Sequence, residues 1–244
     1  MATITWGNFK DRIARLSHKN LNRSVQESDV EQWGKAGIEA VEMAEAWEYL
    51  REPYTISLVA GQYRYAYPDN NELSEFAPLE RIDEMSLRYG AKITQYIGWV
   101  ARPEMIDRNA NFGPGWRDAA GATGTIELAT QGRNRELWVA KKPSTEFVAD
   151  FPTLYAYGWT SDLHTIGAGS PPDSTVLRIP VWAAQCYVNA AMATGLQQED
   201  DPDWQRFRQL HRDDLQRLRA RPGSVTAHKE IQMPRSFKLR RRII

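Results

Sequence analysis

Residues that could carry acid–base, metal or nucleophilic chemistry are few in this sequence and lie far apart. The four histidines fall at a helix end, in a loop, in a helix and in a C-terminal segment: His18, His164, His211 and His228. Zinc sites need paired ligands at short spacing, and no two of these histidines have it. The one cysteine, Cys186, lies in an alanine-rich stretch, where a free thiol packs as a small apolar side chain. We therefore predict no catalytic residue, no metal site and no cofactor.

The sequence motifs of common enzyme classes are absent, and the carboxylates do not form an acid–base pair, which leads to the same prediction. The sequence has no glycine-rich phosphate loop, no Gly-x-Ser-x-Gly turn and no cysteine pair. Four carboxylates follow one another three residues apart: Glu39, Glu42, Glu45 and Glu48. This spacing drifts slowly around a helix, so it indicates a charged flank facing solvent or another subunit rather than an acid–base pair. The sequence predicts that this protein is not an enzyme.

The strongest local signal is a basic and apolar segment at the C-terminus. Five basic residues fall within eight positions: Arg235, Lys238, Arg240, Arg241 and Arg242. Four apolar residues are interleaved with them: Phe237, Leu239, Ile243 and Ile244. A nucleic-acid arm needs mainly charge, whereas a protein-docking arm also needs apolar side chains that fill a groove. The two terminal isoleucines favour docking on a protein, and a nucleic-acid-binding module is the alternative.

The tryptophans raise glycan binding as a further class of function. Five of them fall on apolar helical stripes and are expected in the core: Trp6, Trp33, Trp47, Trp182 and Trp204. Trp116 lies instead in the segment Gly113-Pro-Gly-Trp116, within a polar, glycine-rich stretch at residues 109–124 that predicts a projecting loop. We predict that Trp116 is exposed and contacts a partner. A glycan-binding tail component is therefore a second alternative.

Composition limits the class of protein. A chain of 244 residues can form one large domain or two small ones with a sizeable core. Its 31 basic and 31 acidic residues leave no net charge, so net charge does not indicate an acidic or basic partner. A single cysteine excludes an internal disulfide and fits a reducing compartment. Residues 1–16 do not resemble a signal peptide, and no stretch approaches the roughly 20 apolar residues of a membrane span.

Helical periodicity marks both ends of the chain. Apolar residues recur every three or four positions near the N-terminus: Trp6, Phe9, Ile13 and Leu16. Thr5 can cap this helix. A second helix is predicted from Ser28 or Asp29 to Pro53, and its small residues, such as Gly37, allow a neighbouring helix to approach closely. Two more helices are predicted at residues 180–195, with Gly195 as the stop, and at residues 200–222.

The middle of the chain alternates apolar and polar residues. Seven short strands are predicted, at residues 55–58, 63–67, 82–89, 95–100, 123–129, 136–139 and 153–157. The first two meet at Ala60-Gly61-Gln62 and are expected to form a β-hairpin. One or two helical turns are predicted at 101–108, and a loop at 162–174.

These elements predict an α+β fold. Residues 1–53 and 180–222 are expected to form a helical bundle. Residues 54–179 are expected to form an inserted antiparallel β domain, shaped as a sandwich or a barrel. Residues 223–244 have no helical stripe and predict an extended basic C-terminal arm.

The order of these features resembles the head-tail adaptor proteins of tailed bacteriophages, the neck or connector proteins that attach to the portal ring. A Trp-bearing helix before Tyr54, followed by Thr55-Ile-Ser-Leu-Val-Ala-Gly-Gln-Tyr-Arg-Tyr-Ala-Tyr-Pro-Asp69, looks like that family's entry from helix to hairpin. A later pair, Ile126-Glu-Leu128 with Leu137-Trp-Val-Ala-Lys-Lys-Pro143, precedes a Tyr-containing strand at 151–159. Leu177-Arg-Ile-Pro180 then leads into the alanine-rich helix and its acidic, Trp-containing partner. The resemblance extends over about the full length of the chain.

The resemblance implies a structural protein of the virion without catalytic chemistry. It implies a homo-oligomeric ring of twelve copies that binds the portal protein through the C-terminal arm and meets a tail or nozzle protein on its other side. DNA would pass through the channel without specific binding and would be retained until ejection. It further implies assembly in the host cytoplasm, a final place in the neck between capsid and tail, and no contact with a membrane.

Overall fold

The computed structural model describes residues 2–21, 25–89, 92–99, 123–132, 135–167 and 171–222. Within these residues the chain is an α+β protein, as the sequence predicts. Four longer helices lie towards its two ends: α1 (Trp6–Leu21), α2 (Glu27–Glu42), α5 (Ala184–Gln198) and α6 (Trp204–Ala220). Two short helices and one 3-10 turn lie between them: α3 (Thr145–Asp150), α4 (Asp162–Ile166) and the turn Glu48–Leu50.

The strands of the described residues are short. In chain order they are β1 (Thr3–Thr5), β2 (Arg51–Ser57), β3 (Arg64–Ala66), β4 (Arg81–Tyr89), β5 (Lys92–Tyr96), β6 (Gly98–Trp99), β7 (Thr123–Gly124), β8 (Leu128–Gln131), β9 (Glu136–Val139), β10 (Lys142–Pro143), β11 (Thr153–Trp159) and β12 (Val176–Pro180). One four-stranded sheet has the order β2-β11-β4-β5 and is antiparallel throughout. A second has the order β3-β9-β8-β6, in which the β6–β8 pair is parallel.

The two four-stranded sheets share one apolar cluster. It includes Ile56, Leu87 and Leu154 from the first sheet and Leu137 and Val139 from the second. Along β11 the buried residues alternate with partly exposed ones, as expected when one face of a sheet is covered. The sheets therefore pack on each other through their inner faces.

A second apolar cluster is built by the helices around α5. Ten of the fifteen residues of α5 are buried, and the helix packs against α1, α2 and α6. Gly37 of α2 lies directly on it: a Cβ atom at this position would come within 2.8 Å of the Ala191 nitrogen and the Tyr187 carbonyl oxygen. Only glycine permits this separation of the two backbones, which is the close approach that the small residues of α2 predict.

The N-terminal helix forms as its sequence indicates. Trp6, Phe9 and Ile13 are fully buried, and the backbone N–H of Asn8 donates to Thr5 Oγ1 at 3.3 Å, which caps the first turn. The sequence did not predict β1, which precedes this helix and pairs antiparallel with β12. Three residues are too few for an alternation to be recognised.

The second helix is shorter than predicted. It ends at Glu42 rather than at Pro53, and beyond this end the Val41 carbonyl accepts the Ala44 N–H at 3.1 Å and the indole N–H of Trp47 at 2.7 Å. In a longer helix that carbonyl would accept the N–H four residues on. Pro53 lies inside β2, where its missing N–H is tolerated because β2 is an edge strand.

The predicted β-hairpin is wrong in its pairing. β2 pairs with β11 and β3 pairs with β9, so the two strands belong to different sheets. The turn itself is present: Gly61 has φ of 77° and its N–H donates to the Pro143 carbonyl at 2.9 Å. The connection therefore crosses from one sheet to the other instead of folding one strand back on its neighbour.

Two predictions near the C-terminal helices also need correction. Residues 162–174 are not all loop, since they begin with α4, whose first turn is capped by Ser161 Oγ accepting the Leu163 N–H at 3.1 Å. Gly195 does not end its helix but lies within α5, where a Cβ would meet the Trp33 ring at 2.2 Å. The predicted helical turns at 101–108 lie outside the described residues, as do residues 109–122 of the loop predicted at 109–124. The last two residues of that predicted loop form β7.

Candidate functional site

The predicted contact residues lie outside the described residues. The nine docking residues between Arg235 and Ile244 follow residue 222, and Trp116 falls between residues 99 and 123. What the structure describes is the place from which the arm leaves the body. The arm is defined here as residues 223–244 and the body as residues 1–222.

The last turn of α6 is attached to the body by two arginines. Arg219 Nε lies 2.7 Å from Glu45 Oε1, and the guanidinium of Arg221 lies 4.0 Å from the centre of the Trp182 ring. Positive charge at this position also suits the negative end of the helix dipole. The C-terminal end of α6 is therefore held beside the segment that follows α2.

The four carboxylates spaced three apart do not share one flank. Glu39 is exposed on α2, and Glu45 and Glu48 lie beyond the end of that helix. Glu45 pairs with Arg219, as described, and Glu48 Oε1 lies 3.6 Å from Arg51 Nη1. Glu42 turns inward. They are separated because α2 ends at Glu42.

The structure does not bring the described histidines together. His18 is exposed on α1, and His164 Nε2 lies 2.7 Å from Glu80 Oε1. His211 of α6 lies against Cys186 of α5, with 3.5 Å between Nδ1 and Sγ. His228 lies outside the described residues.

The Cys186–His211 contact has the chemistry of a core pair. Burial raises the pKa of Cys186 to about 12, and burial lowers the pKa of His211. At neutral pH the pair is therefore a thiol beside a neutral imidazole, whereas a nucleophilic cysteine needs a thiolate. This agrees with the prediction that Cys186 packs as a small apolar residue.

One buried group of ionisable side chains is not indicated by the sequence. It joins the end of α2, the start of α4 and strands β2 and β12, and we call it the polar junction: Glu42, Glu52, Asp162 and Arg178. Asp162 is fully buried, and the Arg178 backbone N–H donates to its two carboxylate oxygens at 3.0 and 2.8 Å. The junction therefore connects the helical core to the first sheet.

Hydrogen bonds fix every member of the polar junction. Glu42 accepts from Ser161 Oγ at 2.5 Å and from the Asp162 N–H at 3.0 Å, so a carboxyl group from α2 caps α4. Arg178 Nε donates to Glu52 Oε1 at 3.2 Å, and Arg178 Nη1 donates to Thr165 Oγ1 at 2.9 Å. The same Nη1 lies 3.6 Å from Asp162 Oδ1.

Burial perturbs the titration of both inward carboxyls. The pKa of Glu42 is raised to about 8, mainly by burial and also by the neighbouring Asp162 charge. Although part of the Glu42 side chain reaches the surface, its carboxyl oxygens face Ser161 and Asp162 rather than water. Burial also raises the pKa of Asp162 to about 6, against the opposing effect of Arg178. The arrangement can hold a proton at neutral pH.

Sequence signals for the polar junction exist but are weak. Ser161 followed by Asp162 is a helix-cap pattern, and Arg178 alternates with the apolar Leu177 and Ile179. Neither signal shows that these residues meet Glu42, which is more than a hundred residues earlier in the chain. Their partners are set by tertiary packing.

A second charged group fixes α1 to α2. Lys10 is buried, and its Nζ lies 2.7 Å from Glu27, 2.9 Å from Asp173 and 3.4 Å from Glu31. Burial alone would lower the pKa of Lys10, but hydrogen bonds to the three carboxylates together raise it. The ammonium group therefore stays charged and serves as a structural tie.

Exposed apolar side chains concentrate on the β4–β5 strand pair. Tyr89 is 74 % exposed, Tyr96 60 % and Ile93 44 %, and β5 is an edge strand of its sheet. Edge strands with apolar side chains favour association with another surface. This pair is the largest group of such residues among the described strands.

Comparison with known proteins gives no family for the chain: no protein-family model matches it, and no curated protein does. Among the described residues, no helix is both long enough and apolar enough to span a membrane.

Proposed function

We propose that this protein is a non-enzymatic head-tail adaptor of a tailed bacteriophage, which binds the portal ring, extends the DNA channel and connects capsid to tail. In this proposal residues 1–53 and 180–222 form a helical bundle that carries an inserted β domain of residues 54–179. Residues 223–244 form an arm that docks on the portal. The proposal also includes a ring of twelve copies in the virion neck.

The observation that carries the proposal is that a basic and apolar sequence follows a helix end that is fixed to the body. The arm has six basic residues and one acidic residue, so it carries a net charge of +5 and the body carries –5. The helix end that precedes the arm is held by Arg219 and Arg221, as described above. A tethered segment of this kind suits capture of a groove on a larger partner.

The exposed residues of β4 and β5 support contact between copies. Tyr89, Ile93 and Tyr96 would be covered by a neighbouring subunit in a closed ring, which removes the exposed strand edge from water. An obligate ring buries thousands of Å² per subunit, and this surface would supply part of that area.

Deleting residues 224–244 is expected to leave the body folded and to abolish binding to the portal ring. The reason is that the two described apolar clusters are built by residues of the body alone packing on one another, whereas the docking side chains of the proposal all lie in the deleted segment. Circular dichroism checks the fold of the truncated chain, and sedimentation with purified portal rings checks binding. Full binding by the truncated chain would refute the assignment of the arm.

Two matched variants of the whole chain separate apolar docking from charge. Phe237→Ser with Leu239→Ser removes apolar side chains and keeps all charges, and Arg240→Gln with Arg241→Gln removes two charges and keeps the apolar side chains. For a groove on a protein we expect the first variant to lose more portal binding. The opposite order would favour an electrostatic partner.

The basic arm also favours one other candidate, a nucleic-acid-binding module. Binding to phosphates releases counterions, so affinity for duplex DNA would fall steeply with salt. Mass photometry of the chain alone and with portal rings distinguishes the two functions. An adaptor is either a preformed ring that binds the portal or a monomer that forms a ring on it. A chain that ignores the portal and binds DNA in a salt-sensitive manner supports the alternative.

A further inference from the structure

We propose that the polar junction is a proton-dependent latch. While Glu42 keeps its proton, the last turn of α2 stays joined to the start of α4, and loss of that proton weakens this joint. The proposal does not depend on the adaptor function, because it concerns only the body of one chain.

The charge balance of the polar junction is the first argument. Three carboxyls, Glu42, Glu52 and Asp162, face one guanidinium, that of Arg178. With all three carboxyls ionised, the group would carry two uncompensated negative charges. Asp162, one of these carboxyls, is fully buried. Repulsion between carboxylates at short range in a dry site is relieved when one of them binds a proton.

The other neighbours of Glu42 supply no compensating cation. From the 3-10 turn and from α5 it faces Tyr49 and Tyr187, whose hydroxyl groups lie 2.5 Å apart. Burial raises the pKa of both tyrosines, so these hydroxyls stay neutral. On α1 the buried Lys10 contacts Glu27 and Glu31 at the opposite end of α2. Among the described residues, Arg178 is thus the cation that acts on Glu42.

Hydrogen bonding decides which carboxyl keeps the proton. Asp162 accepts two bonds from the Arg178 backbone N–H and lies near its guanidinium, and Glu52 receives the direct Arg178 Nε bond. Glu42 receives one bond from a hydroxyl and one from a backbone N–H, neither of them charged. Those two bonds favour the ionised form, but burial and the Asp162 charge outweigh them. Glu42 is therefore the member that stays protonated at neutral pH.

The direction of the pH effect follows from linkage. Unfolded Glu42 releases its proton near its ordinary pKa of 4.5, whereas folded Glu42 keeps it to about 8. Between these values Glu42 holds one proton more in the folded chain than in the unfolded chain, so the contribution of Glu42 to stability falls as pH rises. One proton corresponds to a change of about tenfold in the unfolding equilibrium constant per pH unit within that window.

Urea unfolding of the full chain from pH 5 to pH 9 tests the latch. Glu42→Gln mimics the protonated side chain, and Glu39→Gln, an exposed position on the same helix, is the matched control. We expect the unfolding constant of the wild type to rise with pH relative to that of Glu42→Gln, by about tenfold per unit up to pH 8. Glu39→Gln should follow the wild type. Parallel pH dependences of the wild type and Glu42→Gln would overturn the proposal.

If Glu42→Gln does not fold, an NMR pH titration of the wild-type protein tests the latch instead. In protein labelled with ¹³C at glutamate carboxyls, one carboxyl resonance should titrate near pH 8. The amide proton of Asp162, which donates to Glu42, should shift with the same midpoint. The latch is excluded if no glutamate carboxyl titrates above about pH 6, or if the Asp162 amide does not follow the one that does.

Discussion

Replacing Arg178 with methionine is expected to lower the free energy of unfolding by about 3–5 kcal/mol, the usual cost of removing one partner from a buried ion pair. The arginine side chain is 15 % exposed, and it faces a fully buried Asp162 and a mostly buried Glu52. Methionine keeps much of the packing volume of arginine. The decrease in the free energy of unfolding therefore measures mainly the cost of leaving the Asp162 and Glu52 carboxylates without their cation. Urea unfolding at pH 7, followed by tryptophan fluorescence, measures it.

Two variants control this experiment. Arg212→Met on the exposed side of α6 removes an arginine from a solvated position and should change stability by about 0.5 kcal/mol or less. Adding Asp162→Asn to Arg178→Met removes one of the orphaned charges and should recover part of the loss. If Arg178→Met were no more destabilising than Arg212→Met, the polar junction would not contribute to stability as described.

Replacing Trp33 with alanine is expected to cost about 3–5 kcal/mol, as for other fully buried tryptophans. Its ring packs on α5 where Gly195 lacks a side chain, and its Nε1 donates to Gln198 Oε1 at 2.9 Å. The substitution leaves a large cavity between α2 and α5, because the glycine cannot fill the space. Thermal and urea unfolding monitored by circular dichroism give the size of the effect.

The matched changes for Trp33 separate its ring from its hydrogen bond. Trp33→Phe keeps most of the apolar area and loses the bond to Gln198, so a loss of about 1 kcal/mol from the bond, plus a smaller packing loss, is expected. Trp204→Ala removes a tryptophan that is only partly buried and should cost less than Trp33→Ala. Equal losses for Trp33→Ala and Trp204→Ala would contradict the central place of Trp33 in the helical core.

The sequence predicts the secondary-structure types well where the periodic signal is long. The stripe of Trp6, Phe9 and Ile13 is buried as predicted, and β9 coincides with the strand predicted at residues 136–139. The α+β class follows from the change of period between the ends and the middle. These features depend on the pattern of residues that are close together in the sequence, and that pattern can be read from one sequence alone.

Features that depend on distant residues are not predicted. The alternation around Gly61 indicates two strands and a turn, but it contains nothing to show that each strand pairs elsewhere, with β11 and with β9. The end of α2 at Glu42, with the indole hydrogen bond of Trp47 to Val41 beyond it, is not revealed by the continuing pattern of Glu and Ala. Short elements such as β1 and α4 have too few residues for a period.

Of the candidate functional residues, those grouped in one segment can be recognised from the sequence, and those brought together by folding cannot. The arm from Arg235 to Ile244 is visible in the sequence because its residue types are concentrated, and it stays a prediction. The polar junction could not be predicted, because Glu42, Asp162 and Arg178 come from three separate segments and each has an ordinary local explanation. Burial, which raises the pKa of Glu42 and of Asp162, is a property of the folded chain alone.

The central position of α5 has a consequence for synthesis of the protein. About 140 residues separate the end of α2 from the start of α5, and β12, the partner of β1, is completed only just before α5. At about 5–20 residues per second, the ribosome needs roughly 7 to 30 s to produce that interval. During this time the apolar face of α2, which contains Trp33 and Gly37, has been synthesised, but α5, the helix on which it packs, has not. A chain released before residue 184 therefore carries two N-terminal helices without the surface that covers them.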